Sequence, residues 1–203
     1  MAHDGKLPAI DVFVDSPLSV KATQIMSKHR EYFNSEILEY ISRDGNPFDF
    51  PNLHYVESAE ESKKINTLKS PCIIISSSGM AEAGRVKHHI KNNIENPNNT
   101  ILLVGYASAS SLAGHLKAGD EEVRIFGDFF KVNAKIESME NFSAHADYKE
   151  MLDYLECQNG NKTKKLFLVH GEIETQKDWA DKLLQAGFLN SVIPEKGETF
   201  ILD

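Results

Sequence analysis

Residues 72–90, CIIISSSGMAEAGRVKHHI, have the pattern of a strand, a loop and a helix in one short stretch. The β-branched run at the start is typical of a buried strand, and the small residues 77–80 predict a tight loop after it. From Ala81 to about Asn93, apolar residues recur every three or four positions, which predicts a helix with one buried face. The stretch therefore predicts a strand–loop–helix unit of an α/β fold, with Arg85 on the helix face that is free of the core.

The same alternation continues along the chain. Strand patterns occur at 9–17, 53–58 and 99–107, and helix patterns occur at 18–41 and 58–68. Ser58, followed three residues later by a glutamate, is a capping-box signature. Alternating strands and helices predict a doubly wound, mainly parallel sheet. Short strand patterns with little helix begin near residue 120, and the chain then continues as helix, strand, helix and a final strand at 198–202, so we place a domain boundary near 120–143.

Composition excludes several classes of protein. Of 203 residues, 41% are hydrophobic and 26% are charged, which is typical of a globular protein with a buried core. No apolar run reaches about 18 residues, so no membrane segment is expected. Cys72 and Cys157 form no C-x-x-C pair, and we expect a reducing, cytoplasmic setting. Because the net charge of -8 repels a polyanion, any nucleic acid must bind at a local site.

Two small-residue loops are candidate binding elements. Ser77, Ser78 and Gly79 follow a strand at a helix N-terminus, where backbone N–H groups favour a phosphate; the alternative is an ordinary capping turn. The loop after the next strand contains Gly105, which permits close approach, and Tyr106, whose ring is either a stacking platform or a core aromatic. Because the carboxyl ends of neighbouring parallel strands line one crevice, we expect the two loops to lie side by side.

Two histidines occupy positions suited to chemistry. In SAHAD, His145 and Asp147 are two residues apart, so Asp147 can orient His145 for acid–base work or both can ligate a metal. The alternative is a helix N-terminus capped by Ser143, with Asp147 favourable to the helix dipole. His170 ends a buried strand, where α/β proteins build sites. A catalytic zinc needs about three protein ligands, and the other histidines show no H-x-H or H-E-x-x-H spacing, so the motifs alone do not make a metal site.

Six blocks follow one another along the chain: VFVDSPLSVKAT, YVESAEESKKIN, CIIISSSGMAEAGRVKHHI, LLVGY, VRIFGDFFKVNAKIESMENFSAHAD and LFLVHGE. In this order they resemble the β-CASP branch of the metallo-β-lactamase-fold nucleases. Within that branch, the chain is most similar to bacterial and archaeal relatives of the endonuclease that cleaves messenger-RNA precursors before polyadenylation. The resemblance implies a β-CASP domain at 1–142 and, at 143–203, the C-terminal segment of the metallo-β-lactamase αββα fold without its N-terminal half.

The resemblance also implies roles for individual residues. In a zinc-dependent phosphodiesterase that hydrolyses single-stranded RNA, His145 would be the general acid, Asp147 a second catalytic candidate and His170 a zinc ligand. Residues of the phosphate track and cleft would be Ser77, Ser78, Gly79, Met80, Arg85, Gly105, Tyr106 and Ser143. Whether cleavage is endonucleolytic or exonucleolytic stays open.

The family's H-x-H-x-D-H metal motif has no match in these residues. The resemblance implies two zinc ions in the full-length protein. Because the motif is absent from these residues, we expect no zinc stably bound by this chain and no activity of the isolated chain. The missing N-terminal half is then the main protein partner; exposed apolar surface in residues 143–203 makes a homodimer a second candidate. Two alternatives stay open: a non-catalytic RNA-binding or scaffold homologue, and a doubly wound domain that binds a phosphorylated small molecule.

Overall fold

The computed structural model describes residues 5–139 and 145–201, and the chain forms two compact units, residues 1–143 and 144–203. The strands of unit 1 are β1 (Asp11–Val14), β2 (Leu53–Tyr55), β3 (Cys72–Ile75), β4 (Thr100–Val104), β5 (Glu122–Ile125), β6 (Asp128–Lys131) and β7 (Lys135–Met139). Its helices are α1 (Pro17–Met26), α2 (Ser35–Asp44), α3 (Ala59–Ile65), α4 (Arg85–Asn93) and α5 (Leu112–Ala118), with a 3-10 helix at Arg30–Tyr32.

The strands of unit 1 pair mainly in parallel. One sheet has the order β2-β1-β3, with Val12 opposite Leu53 on one side and Ile73 on the other. A second parallel pair joins β4 to β7, with Leu102 opposite Glu137, and β5 and β6 form an antiparallel hairpin. Strands alternate with helices from β1 to β5, so the predicted α/β class with parallel sheets is confirmed.

Local signals explain where two of the helices begin. The Ser58 hydroxyl accepts a hydrogen bond from the Glu61 N–H at 3.1 Å, and the Glu61 carboxylate accepts one from the Ser58 N–H at 3.1 Å, so the predicted capping box of α3 is confirmed. By contrast, α4 begins at Arg85 and not at the predicted Ala81. Ala81 (φ 56°) and Gly84 (φ 79°) have left-handed backbone conformations, which a right-handed helix does not continue through.

The larger hydrophobic core is built from α4, β4, α5 and β5. Its fully buried members are Ala81, Ile90, Ile94, Leu103, Leu112, Ala113, Leu116, Val123 and Ile125. Helical spacing turns one face of α4 into this core, as the sequence predicts. The other face of α4 has a different buried partner.

That partner is the carboxylate of Asp15, which follows β1 and is fully buried. Asp15 Oδ1 accepts a hydrogen bond from Arg85 Nη1 at 2.5 Å. Asp15 Oδ2 accepts one from the Ser62 hydroxyl at 2.5 Å and one from His89 Nε2 at 2.6 Å. The end of β1 is therefore bonded to α3 through Ser62 and to α4 through Arg85 and His89.

Arg85 is bound on a second side as well. Its Nη1 donates to the carbonyl of Val56 at 3.0 Å and its Nη2 to the carbonyl of Glu57 at 2.6 Å, both just after β2. Only 20% of the Arg85 side chain is exposed. The prediction that Arg85 is free of the core is therefore wrong, because this polar face of α4 packs on a buried carboxylate that lies far away in the sequence.

Opposing effects set the pKa of Asp15. Burial raises this pKa, but the hydrogen bonds from Ser62, His89 and Arg85, together with the charge of Arg85, lower it by more, so it lies below its ordinary value of 3.8. A carboxyl with a lowered pKa contributes stability that is complete above the ordinary pKa and is lost as the pH falls through the folded-state pKa. The Asp15 contribution therefore holds from neutral pH down to about the ordinary value and disappears in stronger acid.

Between residues 145 and 201, unit 2 forms α6 (Tyr148–Leu155), β8 (Leu166–Phe167), α7 (Ile173–Gln185) and β9 (Ser191–Val192). β8 and β9 pair in parallel over two residues each, and the buried core contains Leu168, Leu183 and Phe188. The prediction of a final strand at 198–202 is wrong for its described part, 198–201. β8 takes β9 as its partner instead, and the Phe200 ring packs on the Phe167 ring with centroids 4.8 Å apart.

Large apolar side chains of unit 2 remain at the surface, in agreement with the expectation from the sequence. They include Tyr154, Val169, Ile173, Leu184, Leu189 and Ile201. Across the described parts of both units, no helix has the length and apolar character needed to cross a membrane.

We predict that Asp15→Asn destabilises the chain by about 3 kcal/mol near neutral pH, because Arg85 and His89 lose their buried anionic partner. The matched control is Asp11→Asn on the same strand, whose carboxylate is 43% exposed and pairs with His54. That exposed pair is worth at most about 1 kcal/mol. Urea unfolding, monitored by circular dichroism, measures the free energy of unfolding of both variants relative to the wild type.

The difference between Asp15→Asn and the wild type should stay constant as the pH falls to about 3.8 and shrink below that value. An Asp15→Asn variant as stable as the wild type, or a difference unchanged in strong acid, would contradict the proposed charge network.

Candidate functional site

The candidate site lies at the carboxyl edge of the first sheet of unit 1. β1 is the middle strand; the chain after it leads to β2 on one side, and β3 lies on the other side. Such a reversal of strand order opens a crevice in which α/β proteins bind ligands. Here the loops after β1 and β3 are in contact: the hydroxyl oxygens of Ser16 and Ser77 are 2.7 Å apart, and the Ser76 hydroxyl donates to the carbonyl of Asp15 at 2.8 Å.

The loop after β4 joins the same edge. The N–H of Ser108 donates to the sulfur of Met80 at 3.3 Å, and the N–H of Ala113 donates to the carbonyl of Met80 at 3.1 Å. Leu112 N–H, at the start of α5, donates to the Glu82 carboxylate at 2.6 Å. The loops after β3 and β4 therefore lie side by side as predicted, although the two strands belong to different sheets.

The predicted phosphate-binding loop presents its polar groups to solvent. Ser77, Ser78 and Gly79 are exposed, and Met80, which anchors the loop, is half-buried. Tyr106 is 64% exposed, so its interpretation as a core aromatic is wrong. Gly105 is buried, has φ 90° and donates its N–H to the carbonyl of Met139 at 2.7 Å, so it closes the end of the β4–β7 pair.

The relation between this loop and α4 differs from the sequence expectation. Because α4 begins at Arg85, Ser77, Ser78 and Gly79 do not form its first turn. The helix start instead meets the loop through Gly84, where a Cβ atom would lie 2.6 Å from the Ser77 carbonyl oxygen. Only a residue without a Cβ permits this approach.

Arg85 is the cationic residue nearest in sequence to the loop of Ser77, Ser78 and Gly79. Three of its hydrogen bonds, however, go to Asp15, Val56 and Glu57. Its contact with a phosphate stays a prediction. Its observed contacts hold the helix start and the carboxyl edge of β1 together.

His145 and Asp147 lie at the start of unit 2. Asp147 is the N-cap of α6: its carboxylate accepts from the N–H groups of Lys149 at 2.8 Å and Glu150 at 3.0 Å, and the Glu150 carboxylate accepts from the Asp147 N–H at 2.9 Å. The cap is thus Asp147 and not Ser143, which lies outside the described residues. His145 is exposed two residues before this cap. Catalytic roles for His145 and Asp147 stay predictions.

His170 is exposed and has φ 71°, and its carbonyl accepts a hydrogen bond from the Gln176 side chain at 3.1 Å. Among residues 5–139 and 145–201, no three His, Cys, Asp or Glu side chains come together as a metal-binding group. A zinc site needs about three protein ligands, so His170 could supply one ligand of such a site, and the zinc content of this chain stays a prediction.

Asp15 and His89, the buried partners of Arg85, are not among the site residues predicted from the sequence. Asp15 directly follows an apolar strand, which is the same signal that singled out His170. His89 lies four residues after Arg85, so the two side chains share one face of α4. Together, these two signals could have suggested the pairing.

Two family models match the chain. A model described as the Beta-Casp domain matches residues 1–116, and a model described as the Zn-dependent metallo-hydrolase RNA specificity domain matches residues 130–194. The second match begins inside unit 1, so it does not coincide with the predicted domain boundary after residue 142, which stays a prediction.

Curated relatives agree with these matches. The chain is 31% identical over 172 residues to Ribonuclease TTHA0252 of Thermus thermophilus, a match that covers 85% of this chain and 39% of the relative. It is 28% identical over 195 residues to an RNase J-like protein of Methanocaldococcus jannaschii, with 96% and 44% covered. It is 28% identical over 185 residues to Transcription termination factor FttA of Methanosarcina mazei, with 88% and 29% covered.

The chain spans less than half the length of these three relatives. The Beta-Casp match alone covers more than half of the chain, and it agrees with the resemblance carried by the six sequence blocks. The chain therefore belongs to the β-CASP family, and its residues 130–194 match the Zn-dependent metallo-hydrolase RNA specificity domain.

Proposed function

We propose that this chain is the part of a zinc-dependent RNA phosphodiesterase that binds the RNA backbone and donates the proton to the leaving oxygen. The observation that carries the proposal is the carboxyl edge of unit 1, where the loops after β1, β3 and β4 are bonded together beneath an exposed Ser77–Gly79 turn. Membership of a nuclease family supports RNA as the ligand of that edge.

The edge offers groups that suit a phosphodiester. Ser77 and Ser78 are exposed residues whose hydroxyls can donate hydrogen bonds to phosphate oxygens, and the Ser77 hydroxyl also lies 2.7 Å from that of Ser16. The Tyr106 ring is exposed and can stack on a base. These are short-range contacts, which is what a chain of net charge -8 requires in order to hold a polyanion.

In the proposed reaction, His145 in its protonated form donates a proton to the departing ribose oxygen as the phosphorus–oxygen bond breaks. Asp147 acts as a positioning residue, because its cap on α6 fixes the backbone two residues after His145. His170 would contribute one zinc ligand; when bound, zinc supplies the activated water for attack on phosphorus. The remaining ligands must come from outside the described residues.

The second candidate function is RNA binding without cleavage. It is favoured by the name of one relative, a transcription termination factor. It predicts binding of single-stranded RNA by the full-length protein without hydrolysis at any zinc concentration.

A further alternative is that the Ser77–Gly79 turn binds a phosphorylated small molecule. It predicts mononucleotide binding by the isolated chain, which equilibrium dialysis measures.

We predict that His145→Ala in the full-length protein lowers the cleavage rate of single-stranded RNA by about 10²- to 10⁴-fold, because the leaving oxygen loses its proton donor. RNA affinity should be unchanged. The matched control is His115→Ala. His115 is an exposed histidine on α5 of unit 1, and it bonds Asp120, which follows the end of that helix. Cleavage at the wild-type rate by the His145→Ala protein would rule out the assigned role.

We also predict that the isolated 203-residue chain retains no zinc after dialysis and does not cleave RNA, since its described residues offer no three-ligand site. Metal analysis beside a cleavage assay with labelled single-stranded RNA measures both properties. In the full-length protein, His170→Ala should lower zinc content. Stoichiometric zinc in the isolated chain, with cleavage that disappears in His145→Ala, would show that the chain holds a complete site.

A further inference from the structure

The hydroxyl of Ser16 connects the start of α1 to the exposed Ser77–Gly79 turn. Ser16 is the N-cap residue of α1, and its hydroxyl oxygen accepts a hydrogen bond from the Ser19 N–H at 3.3 Å. The same oxygen lies 2.7 Å from the hydroxyl oxygen of Ser77. Ser16 is only 6% exposed, whereas Ser77 is at the surface. A buried hydroxyl therefore contacts a hydroxyl of the candidate site, and the proposed reaction gives it no role.

The direction of the hydrogen bond between the two hydroxyls follows from burial. The distance allows either group to donate, but each has a single proton. Among the residues that the structure describes, the Ser77 oxygen is the only acceptor that the Ser16 hydroxyl has. If Ser77 donated instead, the Ser16 proton would be buried without a partner, which is unfavourable. Ser16 is therefore the donor and Ser77 the acceptor.

Two other buried serines, Ser62 and Ser111, donate to groups that have no proton to donate in turn. Ser62 donates to a buried carboxylate at 2.5 Å, and Ser111, the N-cap of α5, donates to a backbone carbonyl at 2.7 Å. Because these oxygens only accept, both series of hydrogen bonds end inside the protein. The series through Ser16 differs, because the Ser77 hydroxyl that accepts from it still has its own proton.

That Ser77 proton is left for a ligand. In the part of the chain that the structure describes, the Ser77 hydroxyl has no hydrogen-bond partner besides Ser16. Hydroxyls in a series polarise one another, so accepting a bond from Ser16 makes Ser77 a stronger donor. The series begins at the N-terminus of α1, where the positive end of the helix dipole favours a negatively charged acceptor. The exposed end of the series therefore suits an anionic oxygen.

Neighbouring residues hold Ser16 in place. The carboxylate of the preceding residue, Asp15, is bonded to three side chains of α3 and α4. The following residue, Pro17, is the first residue of α1, and it restricts Ser16 to the extended backbone that is observed, φ -154° and ψ 107°. The Ser16 hydroxyl is therefore positioned before a ligand arrives, which reduces the entropy cost of binding.

We propose that Ser16 is a positioning residue for phosphate binding: it holds the Ser77 hydroxyl as an acceptor, so that Ser77 donates its own proton to a phosphate oxygen of the RNA. Serine hydroxyls are among the groups that contact nucleic-acid phosphates, and phosphodiester oxygens need a donor. The inference rests on the proposed function in taking the Ser77–Gly79 turn as the phosphate-binding element. It adds the residue that determines how this element donates.

The test is fluorescence anisotropy of labelled oligouridine with the 203-residue chain, in the presence of a metal chelator so that no cleavage occurs. Ser77→Ala should weaken binding about tenfold, the loss expected for one hydrogen bond to a charged group. Ser16→Ala should weaken binding about threefold, because the Ser77 hydroxyl remains but is no longer held as a donor. Ser16→Thr keeps both the hydroxyl and the helix cap, so it should bind like the wild type.

Two further measurements distinguish positioning from a general loss of structure. In the Ser77→Ala background, Ser16→Ala should cause no additional loss of affinity, because Ser16 acts through Ser77. The slope of log affinity against log salt should be the same in Ser16→Ala and the wild type, since no charged contact changes. The matched control is Asn34→Ala, which removes the side-chain cap of α2 and should leave RNA affinity unchanged.

Wild-type affinity in Ser16→Ala would overturn the inference, as would a loss that persists when Ser16→Ala is combined with Ser77→Ala. A loss in Ser77→Ala with none in Ser16→Ala would rule out the role of Ser16 and leave the turn as the phosphate-binding element. Unchanged affinity in Ser77→Ala, or no RNA binding by the wild-type chain, would instead contradict the proposed function of the turn, and the inference with it.

Discussion

The buried carboxylate of Asp15 is the interaction on which the arrangement of unit 1 depends. An ionised carboxylate without partners inside a protein costs several kcal/mol, so the fold has to bring donors to it. Those donors sit at fixed positions on α3 and α4, and satisfying the carboxylate therefore fixes both helices against the end of β1. The loop after β3 follows, because Ser76 bonds the Asp15 carbonyl and Ser77 bonds the next residue, Ser16.

Elements that depend on neighbouring residues could be predicted from the sequence. The parallel α/β class follows from the alternation of apolar periods, and the start of α3 follows from a serine and a glutamate three residues apart. The start of α4 could not be predicted in this way, because it depends on how closely Gly84 approaches the carbonyl of Ser77. The prediction of a final strand at 198–202 was wrong because strand formation also depends on long-range pairing. Apolar alternation does not determine whether β8 pairs with that segment or with β9.

In the candidate site, too, some features could be predicted from the sequence and others depend on residues far away in the chain. The contact between the loops after β3 and β4 could be predicted from two consecutive strand–loop–helix patterns, although the strands lie in different sheets. The environment of Arg85 could not, because it depends on an aspartate from another strand. The exposure of Tyr106 was likewise undetermined, since a ring after a buried strand suits a core as well as a surface. His145 and His170 stood out by their positions in the sequence, but their roles were assigned from the family resemblance, because the described residues contain no complete metal-binding group.

The sequence separation of the Asp15 contacts has a kinetic consequence. The carboxylate bonds residues 47, 70 and 74 positions away, so closing these loops costs chain entropy before any hydrogen bond compensates for it. While Asp15 stays solvated in the unfolded chain, its carboxylate has no free-energy cost, whereas burying the carboxylate without hydrogen-bond partners is strongly unfavourable. Asp15 is therefore expected to lose its water late in folding, after the helices and parallel strands have come together. The network then chiefly lowers the unfolding rate.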